Sequence, residues 1–232
     1  MKKSLVTMVI IVTGILSILI TILTYYGSYS GNFIVIIDSK ENVTSIVLSE
    51  TSDFTDASPR LFADSVNDTI PLAYYDLKIN EAVQAEGNYF DPDFRYFAYS
   101  FYLKNVGNQV LTVETQYLIT ESFRDADKVI RVVIIKNEDV GNLKMYMQKD
   151  SIDFAYPINY PTPIYFLDVE KGIVFTEKII NFYPGDVIKF TVINYVEGND
   201  PDCSDAIAGG LIKMTMKFSI IDSRDIEEEL RT

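Results

Sequence analysis

The sequence predicts an all-β fold, a two-sheet antiparallel sandwich of jelly-roll or Greek-key type, preceded by one N-terminal transmembrane or signal helix. Runs of β-branched and aromatic residues are broken by turn residues roughly every 10 to 15 positions, which is typical of sandwich proteins. Hydrophobic residues make up 48% of the 232 positions, enough for a packed core. Strands do not alternate with helical segments, so a Rossmann or barrel enzyme fold is not expected.

The N-terminal segment is predicted to enter a membrane. Residues Leu5–Tyr26 are uncharged and long enough to cross a bilayer as a helix, and Lys2 and Lys3 before them favour a cytoplasmic N-terminus. Two interpretations remain open: a permanent signal-anchor, or a signal peptide that is removed near Tyr29–Gly31. The predicted organisation is therefore an anchor or signal helix over 1–26, an extracellular β-sandwich over 27–222 and an acidic tail over 223–232.

The first half of the β domain contains five predicted strands. Asn105–Asn108 has the composition of a tight turn, and it predicts a hairpin between the strands on either side. The polar stretch Asp53–Asp68 is expected to be a loop. The predicted strands are Phe33–Asp38, Thr44–Leu48, Leu72–Ile79, Tyr96–Leu103 and Val110–Ile119.

The second half adds five strands and one short, ambiguous run, Met145–Met147. Val129–Ile135 is a continuous β-branched run, which indicates a strand that is buried on both faces. Leu211–Ile221 instead alternates, with apolar residues on one face and Lys213 and Lys217 on the other. Tyr183–Asp186 predicts a turn. The remaining predicted strands are Ile164–Leu167, Ile173–Asn181 and Val187–Tyr195.

Composition excludes several classes of function. Acidic residues outnumber basic ones by 33 to 20, a net charge of −13, so nucleic acid is not an expected partner. The chain has no histidine, which excludes HExxH zinc proteases and histidine-dependent nucleophiles. Its single cysteine, Cys203, excludes an intramolecular disulfide and is interpreted as a packing residue. Paired carboxylates and Ser–Lys pairs remain chemically available, but no spacing singles one out, and no catalytic residue is predicted.

The most unusual local stretch is the acidic segment Glu197–Asp205. Oxygen ligands suit Ca²⁺, and the predicted ligands are Glu197, Asp200, Asp202 and Asp205, although the spacing does not match the EF-hand pattern. The alternative is an ordinary acidic connection between two strands. No other cofactor is predicted. The crowded aromatic residues between Tyr89 and Tyr102 are expected to fill the core with one face, while the other face could stack on a glycan or a protein partner.

Several short motifs resemble the TasA/camelysin-like exported proteins of Gram-positive bacteria. They are the strand and turn Phe101–Asn108, the turn Tyr183–Asp186, and the ending Asn194–Cys203 with Gly209–Gly210 and the strand through Phe218. The resemblance implies a jelly-roll surface or matrix protein. Some relatives form fibres by lending an N-terminal strand to the next subunit, and Phe33–Ile37 is the matching segment. The same segment could instead pair within its own sheet. Camelysin-like proteins are also described as metalloproteases, an activity that a chain without histidine is not expected to share.

Taken together, the sequence predicts a non-catalytic exported β-sandwich of the cell surface or extracellular matrix, including a biofilm matrix. It would act by self-association through residues 33–37 or by contacts with a partner, and it would meet the membrane through residues 5–26. The expected location is the cell membrane, single-pass with an extracellular C-terminal domain, or the medium or cell wall after cleavage. The alternative is a Ca²⁺-dependent surface module that binds a protein or a glycan.

Overall fold

The computed structural model describes residues 12–18, 20, 32–38, 45–152 and 155–221. Residues 12–18 and 20 are helical, and most of the predicted membrane segment 5–26 lies outside the described residues, as do the acidic tail and the predicted cleavage region. Within the described part of the chain, no helix is both long and apolar enough to cross a bilayer. The chain divides into two compact units between residues 31 and 32, and the β domain is the second.

The first sheet has five strands in the order β10-β6-β12-β1-β3. Its alternating residues point inward, as the sequence predicts for β12, where Met214, Met216 and Phe218 are buried. Lys213 and Lys217 on the same strand instead pair with acidic side chains. The strands are β1 Phe33–Asp38, β3 Arg60–Ala63, β6 Leu111–Phe123, β10 Ile173–Phe182 and β12 Leu211–Ile221.

The second sheet follows the order β2-β5-β11-β7-β8-β9, with β4 beside β5. All residues of β7 except the last are buried, which confirms the prediction that this β-branched run is covered on both faces. The strands are β2 Ile46–Ser49, β4 Gly87–Tyr89, β5 Phe97–Asn105, β7 Ile130–Lys136, β8 Lys144–Met147, β9 Pro163–Tyr165 and β11 Val187–Val196.

The two sheets pack face to face, so the predicted sandwich is confirmed. Aromatic rings from both sheets fill the space between them. Phe33 of β1 stacks on Tyr117 at 5.7 Å between ring centroids and contacts Phe97 of the opposite sheet at 5.2 Å. Phe101 and Phe190 stack at 5.4 Å within the second sheet. Burying rings of this size supplies most of the hydrophobic stabilisation of such a core.

The sheets are mixed, and the prediction of purely antiparallel sheets is wrong at two pairs. β1 runs parallel to β12 over six paired residues, and β8 runs parallel to β9. β1 and β12 lie near opposite ends of the domain sequence, so no short connection forces them to be antiparallel. β8 and β9 are joined by residues 148–162, a connection long enough for the chain to return before it pairs.

The predicted hairpin around Asn105–Asn108 is also wrong. β5 belongs to the second sheet and β6 to the first, so this turn carries the chain from one sheet to the other. The buried Asn105 side chain donates from Nδ2 to the carbonyl oxygens of Gln109 (2.9 Å) and Phe182 (2.8 Å). Gly185 donates its N–H to the Asn105 carbonyl at 2.9 Å. This turn is therefore joined to the turn between β10 and β11, which changes sheets at the same end of the sandwich.

Irregular segments cover the outer face of the second sheet. The predicted strand Leu72–Ile79 is instead a 3-10 turn, Tyr74–Asp76, followed by a helix, Ile79–Gln84. Asp76 Oδ2 accepts the Ala73 N–H at 2.9 Å, and this local bond competes with strand pairing. Leu72, Leu77 and Val83 belong to a second apolar cluster against Ala98, Val133, Ile135 and Ile193. The predicted loop Asp53–Asp68 is partly wrong, since β3 occupies Arg60–Ala63 within it.

Candidate functional site

The acidic segment begins directly after β11 and lies at one end of the second sheet. Its four predicted calcium ligands are placed differently. Glu197 is 0% exposed and Asp200 is 3% exposed. Asp202 is half-buried, and Asp205 is exposed at the start of a 3-10 turn. Only Glu197 and Asp200 therefore belong to the interior of the protein, where a carboxylate must find partners.

Asp200 pairs with a buried arginine from β7. The Arg131 side chain is 0% exposed, and its Nη2 donates to Asp200 Oδ2 at 2.7 Å. The same nitrogen lies 3.5 Å from Asp150 Oδ1, and it also donates to the Tyr156 hydroxyl. The other oxygen of Asp200 accepts the Asp202 N–H at 2.6 Å. The guanidinium thus faces two carboxylates, which also accept the Asp202 N–H and the Tyr156 hydroxyl.

Glu197 is held entirely by neutral donors. Its Oε2 accepts the hydroxyls of Tyr160 and Tyr195, both at 3.1 Å. Its Oε1 accepts the backbone N–H of Asn199 at 3.0 Å and the side-chain Nδ2 of the same residue at 3.1 Å. Four donors on one carboxylate satisfy it well without a cation.

Tyrosines link the two carboxylates and form the outer wall of the cluster. Tyr156 stacks on Tyr160 with ring centroids 4.3 Å apart, and Tyr160 meets the edge of Tyr74 at 5.8 Å. Arg131 Nε donates to the Tyr160 hydroxyl at 3.2 Å. We call Arg131, Asp150, Tyr156, Tyr160, Tyr195, Glu197 and Asp200 the arginine–tyrosine cluster.

Burial dominates the electrostatics of the arginine–tyrosine cluster. It raises the pKa of Tyr160 to about 12 and also raises the pKa of Tyr195, so both phenols remain protonated donors. It raises the pKa of Asp150 as well. Burial alone would lower the pKa of Arg131. The effect of burial is outweighed by the interactions with Tyr160, Tyr156 and Asp200, which raise the pKa of Arg131. The cluster therefore keeps one fixed positive charge, on Arg131, which is surrounded by carboxylates and by phenols that stay protonated.

Two other acidic side chains, Asp202 and Asp91, accept backbone N–H groups. Asp202 Oδ2 accepts the Ser151 N–H at 2.8 Å. Asp91, in the connection between β4 and β5, accepts the N–H groups of Asp93 and Phe94 at 2.8 and 3.0 Å. Among the residues that the structure describes, no group of three or more acidic, cysteine or histidine side chains is placed to hold a metal ion. The calcium site stays a prediction.

Cys203 is half-buried beside the cluster. Burial raises the pKa of its thiol, and the charges of Asp200 and Glu197 raise it further. A thiol with a raised pKa is a poor nucleophile, because the thiolate is the reactive form. The geometry is that of a packing residue.

Arg131, Tyr156 and Tyr160 were not predicted as site residues from the sequence. One signal was present: Arg131 is the only charged residue within the otherwise apolar run Val129–Ile135. An arginine in the middle of a strand that is buried on both faces requires a buried partner. The identity of that partner, 69 positions along the chain, could not be read from the sequence.

Comparisons with known proteins add no family. No family model matches the chain, and no curated protein matches it. One solved structure, a β-glucosidase from Kluyveromyces marxianus, shares 13% identity with a TM-score of 0.27. The match covers 88% of this chain but 20% of the glucosidase, so the chain spans about a fifth of that protein's length. A TM-score this low supports no argument about fold or activity.

Proposed function

We propose that this protein is a non-catalytic, exported or membrane-tethered β-sandwich of the cell surface or extracellular matrix, which acts by self-association. The observation that carries the proposal is the position of β1. This strand is the first of the domain, and it fills an internal slot of the first sheet between β12 and β3. The uncharged segment 5–26 supports export.

β1 contributes strongly to the core. Phe33 and Val35 are both 0% exposed, while Ile34 and Ile36 face outward and are half-buried. Six residues pair with β12 and four with β3. In the described chain this strand completes its own sheet. A second copy could supply the same strand to the same slot, because the backbone bonds and side-chain contacts would be identical.

Charge sets a condition on such an assembly. Each chain carries a net charge of −13, so two copies repel each other at low ionic strength. Salt screens this repulsion, with a Debye length of about 10 Å at 0.1 M. The proposal therefore expects assembly to strengthen as salt is added.

Several partly buried ionic groups pair with each other, and this pairing supports a non-catalytic role. Glu177 accepts bonds from Lys136, Lys144 and Tyr146, and it links β10 of the first sheet to β7 and β8 of the second. Lys189 donates to Glu138 Oε1 at 2.7 Å and to the Val83 carbonyl at 2.6 Å. These contacts hold layers of the fold together.

The jelly-roll class belongs to the same proposal. Consecutive strands β5, β6 and β7 alternate between the two sheets, as do β10, β11 and β12. Such alternation is typical of jelly rolls, in which successive strands pair with distant partners. The parallel pairing of β1 with β12 is a departure from the all-antiparallel form.

Cysteine cross-linking of the full chain tests whether β1 is exchanged. In a Cys203→Ser background, Ile34→Cys on one copy is mixed with Thr215→Cys on another, because these positions are register partners on β1 and β12. Assembly by strand exchange predicts a covalent dimer after oxidation. Ser219→Cys is the matched control, since it lies on the same strand opposite Asp38, four residues from the Ile34 partner. Absence of a dimer under assembly conditions, or an equal yield with Ser219→Cys, would overturn the proposal.

The calcium-dependent binding module is the weaker proposal. Glu197 and Asp200 would first have to release Tyr160, Tyr195 and Arg131 to become ligands. A ligand that binds only the folded state raises the melting temperature. An increase in millimolar Ca²⁺ that disappears in Asp200→Ala and Asp205→Ala would support this module, and an unchanged melting temperature would exclude it.

A further inference from the structure

A cleft of about 990 Å³ opens at one end of the sandwich, beside the arginine–tyrosine cluster. It reaches between the two sheets, where the end of β11 faces the start of β12. Its apolar walls include Phe97 of β5, Ile130 of β7 and Met214 of β12, and the segment 203–211 lines its outer side. Sites for small ligands have this size and this mainly apolar character.

One of the polar side chains that line the cleft is almost completely buried. Asn194 of β11 lines it and is only 2% exposed. Within the described residues, the hydrogen bonds of this side chain go to one group, the Tyr117 hydroxyl, at 2.9 Å from Nδ2 and 3.1 Å from Oδ1. That hydroxyl has a single hydrogen and also lies 3.2 Å from Met214 Sδ.

The Asn194 carboxamide therefore has unused hydrogen-bonding capacity. A carboxamide offers two N–H donors and two lone pairs, and one hydroxyl satisfies at most two of these four. A buried polar group with unmet capacity commonly indicates a water or a ligand. A second carboxamide fits best, because it can donate to Oδ1 and accept from Nδ2 at the same time.

The charges around the cleft select against an acidic ligand. None of the residues that line it is a lysine or an arginine, and Asp68 and Asp205 stand exposed at its rim. Two arginines beside the rim already have partners: Arg95 pairs with Asp68 at 3.5 Å, and Arg124 donates to the Ala208 carbonyl. A buried carboxylate head group would lose its hydration without a lysine or arginine among the lining residues to pair with, whereas a neutral head group avoids that cost.

We propose that this cleft binds a neutral amphiphile whose carboxamide pairs with the Asn194 side chain and whose alkyl chain lies against Phe97, Ile130 and Met214. The site goes beyond self-association, since it shares with the slot that β1 fills only the start of β12 and Asn32, the residue just before β1. Binding does not require a second copy of the chain.

Cys203 provides a reporter within the protein itself. It lines the cleft and is the only cysteine of the chain, so no other cysteine has to be removed and none has to be introduced. The full chain is reconstituted in nanodiscs of neutral lipid, and N-ethylmaleimide modification of Cys203 is followed by intact mass. Decanamide is expected to slow modification by the factor 1 + [L]/Kd, about tenfold at a free concentration about ten times Kd. Decanoate at the same concentration is expected to leave the rate unchanged.

Two variants locate the effect. Asn194→Leu keeps the side-chain volume but cannot pair with an amide, so decanamide should no longer protect Cys203. Since this change also deprives Tyr117 of its partner, Ile207→Trp on the half-buried outer wall serves as the second variant, and it should remove protection by filling the cleft. The proposal is overturned if decanamide does not protect the wild type up to its solubility limit, or if decanoate, Asn194→Leu or Ile207→Trp gives equal protection.

Discussion

Replacing Arg131 with methionine tests whether the arginine–tyrosine cluster is structural. The substitution removes the guanidinium but keeps a long apolar side chain in the buried position. Asp200, whose side chain is 0% exposed, and Asp150, at 9%, then lose their shared cation. Breaking a buried ion pair from one side costs about 3–5 kcal/mol, because a charge remains buried without compensation.

That cost is large relative to the stability of a domain, which is about 5–15 kcal/mol. For a domain of this size, each kcal/mol shifts the melting temperature by about 2–4 °C, so we expect Arg131→Met to lower it by about 6 to 20 °C. Thermal unfolding can be followed by near-UV circular dichroism, since the chain has 16 tyrosines and no tryptophan.

A double variant and a surface control complete the test. Arg131→Met combined with Asp200→Leu removes both charges, and it should recover part of the stability that either single change loses. Arg95→Met breaks the exposed contact between Arg95 Nη1 and Asp68, at 3.5 Å, and should change stability by less than about 1 kcal/mol. A loss below about 1 kcal/mol for Arg131→Met, or strictly additive losses in the double variant, would refute the reasoning.

Three further predictions concern the stability of the domain, and each follows from the surroundings of one side chain. Thr115 Oγ1 is a buried hydroxyl without a partner in the described residues, so Thr115→Val should stabilise the domain by about 1 kcal/mol in urea unfolding; destabilisation would contradict this. Burial alone would raise the pKa of Glu177, but hydrogen bonds from Lys144, Lys136 and Tyr146 outweigh burial and lower this pKa from 4.5 to about 2. The pKa of Glu177 is therefore lower in the folded than in the unfolded chain, so the ionised side chain stabilises the fold by up to about 3 kcal/mol. This stabilisation is complete above pH 4.5 and is lost as the pH falls through about 2. A stability–pH curve for Glu177→Gln should be flatter in that window, and an unchanged curve would argue against the ion pairs. Phe33→Ala should lower the free energy of unfolding by about 3–5 kcal/mol in the same urea assay, whereas Ile34→Ala on the outer face should lower it clearly less. Equal losses would show that the assigned register of β1 is wrong.

Local sequence patterns predicted most of the strands because they report backbone preference and one-sided burial. The alternation in Leu211–Ile221 and the β-branched run Val129–Ile135 each correspond to a strand within one residue. The short strands β3 and β4 have three or four residues, too few for alternation to be recognised. Leu72–Ile79 had strand-like composition, but Asp76 turns the backbone there.

The sequence by itself determined the mainly β class, the turns at Asn105–Asn108 and Tyr183–Asp186 and the inward face of β12, because these depend on interactions between residues close in the chain. Only the tertiary structure decided which sheet each strand joins. Asn105–Asn108 is a turn in either case, and its role as a crossing depends on bonds to Phe182 and Gly185, about 80 positions away. Arg131 and Asp200 likewise meet only because β7 and β11 are neighbours in one sheet. Such contacts are chosen by the packing of the whole core, and no local pattern encodes them.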